Sequence, residues 1–229
     1  MSGVLIITPA RNRLEYTTRC VSLVRNRTKY EPYTHVVLDN ASNDGTWEWL
    51  QWIIKMENGW FENVRALRSD LNRGDLGGVD YAYKLSVSET NPTYLVKLDN
   101  DMEVPDGWLT ALVEVLQCAG ADIVSLRRTG VQNHVGASDL RNVSLSDGRT
   151  VEVGTVDRVD ACYIMRREYF EGTFGGQARN EDHGRCRKIT SLEVHQMEGW
   201  DEVAGSYIQH EKYRPASETI RLQPSGRMR

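Results

Sequence analysis

Along the first 128 residues, short apolar runs alternate with stretches whose apolar positions recur at helical spacing. "VLIIT" (4–8) is a continuous run of the kind buried on both faces of a parallel sheet. "HVVLD" (35–39), "VRALR" (64–68), "YLVKL" (94–98) and "DIVSL" (122–126) read as four further strands. Between them, Leu14, Val21 and Val24 mark the inward face of a first helix, with Asn12 as its expected N-cap and Glu15 close to capping-box position. Trp47, Leu50 and Ile54 mark a second helix, residues 76–88 a third, and "GWLTALVEVLQ" (107–117) a fourth. This β-α-β-α order predicts an α/β fold built on a doubly wound parallel sheet.

After about residue 128 the rhythm changes. Residues 130–158 are polar and glycine-containing, with short β-like runs. "VDACYIMRR" (159–167) reads as a buried strand, "NEDHGRCRK" (180–188) as the start of a helix, and "GSYIQH" (205–210) as a last strand. Residues 189–206 are expected as loop and carry no transferable signature. From residue 212 onward the chain is basic, with Arg214, Arg221, Arg227 and Arg229 against one acid, Glu218. The division expected is a nucleotide-type half (1–128) and a second half (129–229) that completes the site, together forming one continuous domain.

Composition narrows the classes. The chain has 229 residues, 40% hydrophobic and 26% charged, enough for a sizeable core. Its net charge of −4 gives no sign of a nucleic-acid-binding surface. No apolar segment approaches the ~20 residues of a membrane span, and the N-terminus lacks the pattern of a secretory signal. Cys20, Cys118, Cys162 and Cys186 are scattered without a C-x-x-C pair, as reduced thiols of a cytoplasmic protein would be.

The fourth strand runs straight into "DNDMEVP" (99–105), where Asp99 and Asp101 sit one residue apart. Open α/β sheets bind ligands beyond the carboxyl ends of their strands, so Asp39, Asp99 and Asp101 should meet at one sheet edge. Crowded carboxylates repel and lose solvation there. They can serve as turn caps, or they can hold a divalent cation that bridges an anionic ligand. Hard oxygen ligands suit Mn²⁺ or Mg²⁺. A calcium loop is excluded, because Val104 stands where its glycine belongs and Thr110 where its glutamate belongs.

Six pieces in order resemble a glycosyltransferase of the GT-A fold, family 2 type. "LIITPARNR" is similar to that family's opening strand and P-x-x-N-R loop, and "VVLDNASNDGTWEWL" to its V-D-N-x-S-x-D-G-T segment. "NRGDLGG" resembles N-x-G-x-x-x-G, and "LDNDMEVP" resembles the D-x-D strand end. "VDACYIMRREYFEGTFGG" resembles the acceptor-side segment, with Asp160 where a glycine is frequent, and "NEDHGRCRK" resembles the E-D helix start.

The resemblance implies a Rossmann-like nucleotide-binding half with a mostly parallel sheet, fused to a smaller acceptor-binding half. It implies an inverting transferase using a nucleoside diphosphate sugar, with a UDP-sugar favoured, and Mn²⁺ or Mg²⁺. Asp39 would accept hydrogen bonds from the base or ribose. Pro9, Arg11, Arg13, Asn72 and Asn100 would lie on the nucleotide side. Asp99 would sit near ribose and metal, Asp101 would be the main metal ligand, and His210 would complete the metal shell, with His195 and His183 as rivals. Asp182 would be the general base, with Glu181 positioning the acceptor. The dication would convert repulsion between Asp99 and Asp101 into attraction. Trp108, Trp200 and Tyr207 are candidates for stacking on sugar or base, or for the core. The acceptor stays open: a glycan, a small molecule, a protein or a modified DNA base. The alternatives are a nucleotidyltransferase, against which the glycine-free "TPARNR" speaks, and a non-catalytic sugar-nucleotide-binding relative.

Overall fold

The computed structural model describes residues 3–56, 59, 61–129, 136–157, 159, 161–174 and 186–197. The parallel strands arise where the apolar runs predict them. They are β1 (Val4–Ala10), β2 (Tyr33–Asn40), β3 (Val64–Ser69) and β4 (Tyr94–Leu98), with helices α1 (Leu14–Arg27), α2 (Thr46–Ile54) and α3 (Gly74–Thr90) between them. There follow β5 (Met102–Glu103), α4 (Trp108–Cys118), β6 (Ile123–Thr129), a hairpin of β7 (Ser138–Ser144) and β8 (Thr150–Thr155), then β9 (Cys162–Arg166) and β10 (Cys186–Gln196).

Among the described residues, all ten strands join one sheet in the order β3-β2-β1-β4-β9-β6-β10-β8-β7, with β5 paired to β10. The β3-β2-β1-β4 block is parallel throughout. Period-2 alternation sends side chains of β1 to opposite layers. Val4 and Ile6 pack with α1 and α4, whereas Leu5 and Ile7 pack with Val79, Ala82 and Tyr83 of α3. Trp108 is fully buried at the start of α4, and its indole N–H donates to Thr28 Oγ1 at 3.0 Å. It belongs to the core and offers no stacking face to a sugar.

β9 runs antiparallel between β4 and β6, pairing Leu95 with Met165 and Ile123 with the same Met165, so the sheet is mostly and not wholly parallel. One stretch departs from expectation. Cys186, Arg187 and Lys188 are not the opening of a helix. They begin β10, parallel to β6 and antiparallel to β8, because Ile189 and Val194 must be buried between those two strands. Residues 189–196, expected as loop, continue that strand. The expected strand 205–210 and the basic segment beyond it lie outside the described residues.

The start of α1 also departs from the expectation. Asn12 does not cap it. Asn12 and Arg13 both take left-handed backbone angles (φ 53° and 60°), and the Asn12 amide oxygen accepts the Asn43 N–H at 2.9 Å. The cap comes from across the sheet: Asp44 Oδ2 accepts the Leu14 N–H at 2.9 Å, while its Oδ1 accepts the Thr46 N–H at 3.0 Å. One carboxylate therefore caps α1 and α2 together, at two positive helix ends. Asp44→Ala is expected to lower stability by about 1–2 kcal/mol, the usual range for a lost cap. Chemical denaturation would show it, and an unchanged midpoint would contradict the double-cap role.

Candidate functional site

The carboxyl ends of β1, β2 and β4 open on a cleft of about 250 Å³. Of the residues expected at a donor site, Pro9, Arg11, Arg13, Asn72, Asp99, Asn100 and Asp101 line it. Asp39 does not stand on its wall. That side chain is fully buried, its Oδ1 accepts the Ser42 N–H at 3.0 Å, and its Oδ2 lies 3.3 Å from Arg68 Nε. Glu181, Asp182 and His210 lie outside the described residues, as do His183, Trp200 and Tyr207. His195 is on β10, paired with Glu103 of β5, and does not line the cleft.

Local sequence explains the shape of the cleft. Arg11 donates to the Asn40 carbonyl at 3.3 Å, and the Asn12 N–H donates to Ser42 Oγ at 2.8 Å, so the loops after β1 and β2 are knit together. The Asn40 side chain donates to Asn72 Oδ1 (3.1 Å) and the Gly74 carbonyl (3.0 Å), and accepts from the Arg73 N–H (2.8 Å), which holds the start of α3 against β2. Gly74 takes φ +70° where α3 begins. A Cβ at Gly78 would stand 3.2 Å from Pro9 Cβ and 3.3 Å from Leu38 Cδ2, so α3 approaches the cleft floor closely only because position 78 has no side chain.

The acidic strand end is less bare of countercharge than its sequence suggests. Lys97, buried at the end of β4, forms an ion pair with Asp75 at 2.8 Å and a very short one with Asp99. Asp101, also buried, pairs with Arg13 at 3.0 Å and accepts from Gln196 Nε2 at 3.1 Å. Gln196 in turn accepts from Arg128 Nε at 2.7 Å. Each aspartate thus has a cation of the chain itself, which offsets part of their mutual repulsion and leaves the Asp99 carboxyl still disfavoured in its charged form.

Protonation follows from these partners. Burial pushes the Asp99 carboxyl up to about 7; the Lys97 ammonium opposes that rise, and Asp75 and Asp101 add to it. Burial alone would lower Lys97, but Asp75 and Asp99 outweigh it and hold the ammonium well above its ordinary value. Burial also raises the thiols of Cys20 and Cys162, which stay protonated, and all four cysteines are free. Among the described residues no cluster of three or more His, Cys, Asp or Glu side chains is arranged to hold a metal.

Asp75, Lys97, Arg128 and Gln196 are the site residues that motif reading passes over. Lys97 had a visible signal, a lone lysine inside the apolar run 94–98. Such a charge is tolerated in a buried strand only with a partner. Arg128 and Gln196 had none, since nothing local joins residues 68 positions apart.

The profile of glycosyl transferase family 2 matches residues 5–174. The chain belongs to glycosyl transferase family 2. No curated protein sequence matches it. In three dimensions this family 2 chain is similar to the crystal structure of GalNAc-T7 with UDP, GalNAc and Mn²⁺, at 16% identity and a TM-score of 0.63, covering 95% of this chain and 54% of that one. It is similar also to Staphylococcus aureus TarS 1-349 in complex with UDP, at 15% identity and a TM-score of 0.57, covering 85% and 60% of the two chains. A second structure of S. aureus TarS 1-349 matches at 14% identity and a TM-score of 0.57, covering 95% and 68%. At these identities the likeness establishes the fold, the mixed α/β GT-A type expected. The family 2 chain spans little more than half the length of the first two structures. Among the described residues, no helix is long and apolar enough to cross a membrane.

Proposed function

We propose that this family 2 protein is an inverting glycosyltransferase that takes a nucleoside diphosphate sugar, with a UDP-sugar favoured, and passes the sugar to an acceptor hydroxyl. The observation that carries this reading is the charge layout of the cleft: Asp99 and Asp101 on its floor, with Arg11, Arg13 and Arg128 around it. A diphosphate needs the arginines, and a cation that accompanies it needs the carboxylates. Support comes from the UDP held by TarS and from the UDP, GalNAc and Mn²⁺ held by GalNAc-T7.

The donor set of Asp99 and Asp101 is of hard oxygens, which fits Mn²⁺ or Mg²⁺. When bound, such an ion supplies Lewis-acid charge where the departing diphosphate becomes negative. The chain's own residues do the rest. Asn40 and Asn72 fix the loop–helix junction against which the donor lies. Arg11 and Arg128 add positive charge at the leaving group. Lys97 holds Asp99, and Asp75 beside it, in one orientation. Residues 1–128 are assigned donor binding and 129–229 acceptor binding, with Asp182 as base, Glu181 positioning the acceptor and His210 adding to the metal shell. Those three assignments rest on the family pattern. In a single displacement the base must take the acceptor's proton on the face opposite the leaving group.

The test is a panel of nucleotide sugars with Mn²⁺, read by thermal unfolding and by nucleotide release. A donor at a hundredfold excess over its Kd should raise Tm by roughly 5–10 °C, and it should be hydrolysed slowly only when the metal is present. No stabilisation and no release with any nucleotide sugar would overturn the reading.

A pH dependence follows from Asp99. A carboxyl pushed up to about 7 still carries its proton at pH 6, and that proton competes with a metal ion. Mn²⁺ affinity in the presence of UDP should therefore rise about fivefold from pH 6 to pH 7 and about a further twofold by pH 8, where it levels off. Calorimetry of wild type and Asp99→Asn checks it, since the step belonging to Asp99 disappears in the variant. The same step in both proteins would contradict the assignment.

A further inference from the structure

We propose that Arg13 is an internal stand-in for the metal: its guanidinium holds Asp101 while the cleft is empty, and it yields that carboxylate when cation and nucleoside diphosphate enter together. The inference rests on the donor reading above and deepens it.

The two counterions of the acidic strand end are built differently. Lys97 is gripped from two sides, by Asp75 and by Asp99, and its side chain is only 6% exposed. It does not line the cleft, so nothing that enters can take its place. Arg13 grips a single carboxylate oxygen, Asp101 Oδ2, and its own side chain stands on the cleft wall. The same Oδ2 accepts a neutral hydrogen bond from Gln196. A dication brought to Asp101 repels Arg13 but not the Gln196 amide, so Arg13 is the partner that leaves. It need not move its backbone. Asn12 and Asp44 pin the loop on either side, and the Arg13 carbonyl accepts the Thr17 N–H at 3.0 Å. The side chain alone swings, from the carboxylate to the phosphate oxygens beside it.

Charge is conserved in this exchange. A metal ion arriving alone must expel Arg13 with no new partner for the guanidinium, so it binds weakly. A nucleotide arriving alone finds Arg13 already engaged. Arriving together, each supplies what the other displaces, and binding is strongly coupled without any change of fold.

The experiment is a set of Mn²⁺ titrations, following free Mn²⁺ by electron paramagnetic resonance, with and without UDP. It compares wild type with Arg13→Asn, Arg13→Gln and Arg13→Lys. Asparagine tolerates the left-handed backbone that position 13 adopts, glutamine repeats the uncharged test with a longer chain, and thermal unfolding confirms that each is folded. In the uncharged variants Mn²⁺ alone should bind about tenfold tighter than in wild type, and the gain from adding UDP should shrink by about tenfold or more. Arg13→Lys keeps the charge and should behave as wild type. Uncharged variants that bind Mn²⁺ alone no more tightly than wild type would overturn the exchange, while leaving the donor reading standing if UDP still tightens Mn²⁺ binding to wild type. No UDP-dependent Mn²⁺ binding by wild type would remove the donor reading, and the exchange with it.

Discussion

Asp101→Asn is expected to lose metal-dependent UDP binding almost completely, by at least about a hundredfold, because even residues that merely support a metal ligand cost 10–100-fold when removed. Asparagine keeps the shape of the side chain and can still meet Gln196 and Arg13, so the fold is not asked to leave two buried donors bare. Alanine would be a poorer test. It would strand the mostly buried Arg13 guanidinium, and removing one partner of a buried pair destabilises by about 3–5 kcal/mol on its own account. Calorimetric titration of UDP with saturating Mn²⁺ reads the effect. Wild-type affinity in Asp101→Asn would take Asp101 out of the metal shell and leave its pairing with Arg13 a structural feature alone.

The second large effect belongs to the chemical step. Asp182→Asn should bind UDP and Mn²⁺ as wild type does yet transfer sugar about 10²–10⁴-fold more slowly, the range for loss of a general base. An effect confined to turnover places a group at the reacting atoms and not at the donor. The measurement is kcat against donor Kd in the same preparation, with whichever donor the thermal panel identifies. A variant with full turnover would move the role of base to another acid, and Glu181 would be the next to replace.

The parallel half of the fold is legible because its strands are buried on both faces. "YLVKL" matches β4 end to end, and "VLIIT", "HVVLD" and "VRALR" fall short of their strands by no more than two residues at either end. No local pattern reveals which strands pair across the second half. β9 enters between β4 and β6 from 64 residues beyond the end of β4, and only the matching burial of Cys162, Ile164 and their neighbours decides it. The charged residues of "NEDHGRCRK" suggest a helix start, whereas Cys186 onward, where the described residues resume, answers to the empty hydrogen-bonding edges of β6 and β8.

The cleft was legible to the extent that its residues sit in short motifs. Pro9, Arg13, Asn72, Asp99 and Asp101 are found from the string alone, and the strand-end rule for open sheets says they gather. What the motifs hide is how their parts divide. Ser42 and Asp44, within the piece most like the family's nucleotide segment, knit backbone, and Asp39 is turned toward Ser42 and Arg68. The counterions Lys97 and Arg13 decide the electrostatics of the strand end, yet one looks like a stray charge and the other like a solvated helix start. Charge balance is a property of distance, and distances between residues 13 and 101 are not written in either stretch.

The most direct measurement is an anomalous diffraction map from crystals grown with UDP and manganese. A peak is expected at the Asp99 and Asp101 carboxylates, against the diphosphate, with the Arg13 guanidinium moved from Asp101 onto phosphate oxygens. UDP seated in the cleft with no manganese at Asp101, and Arg13 still paired to that carboxylate, would contradict the account.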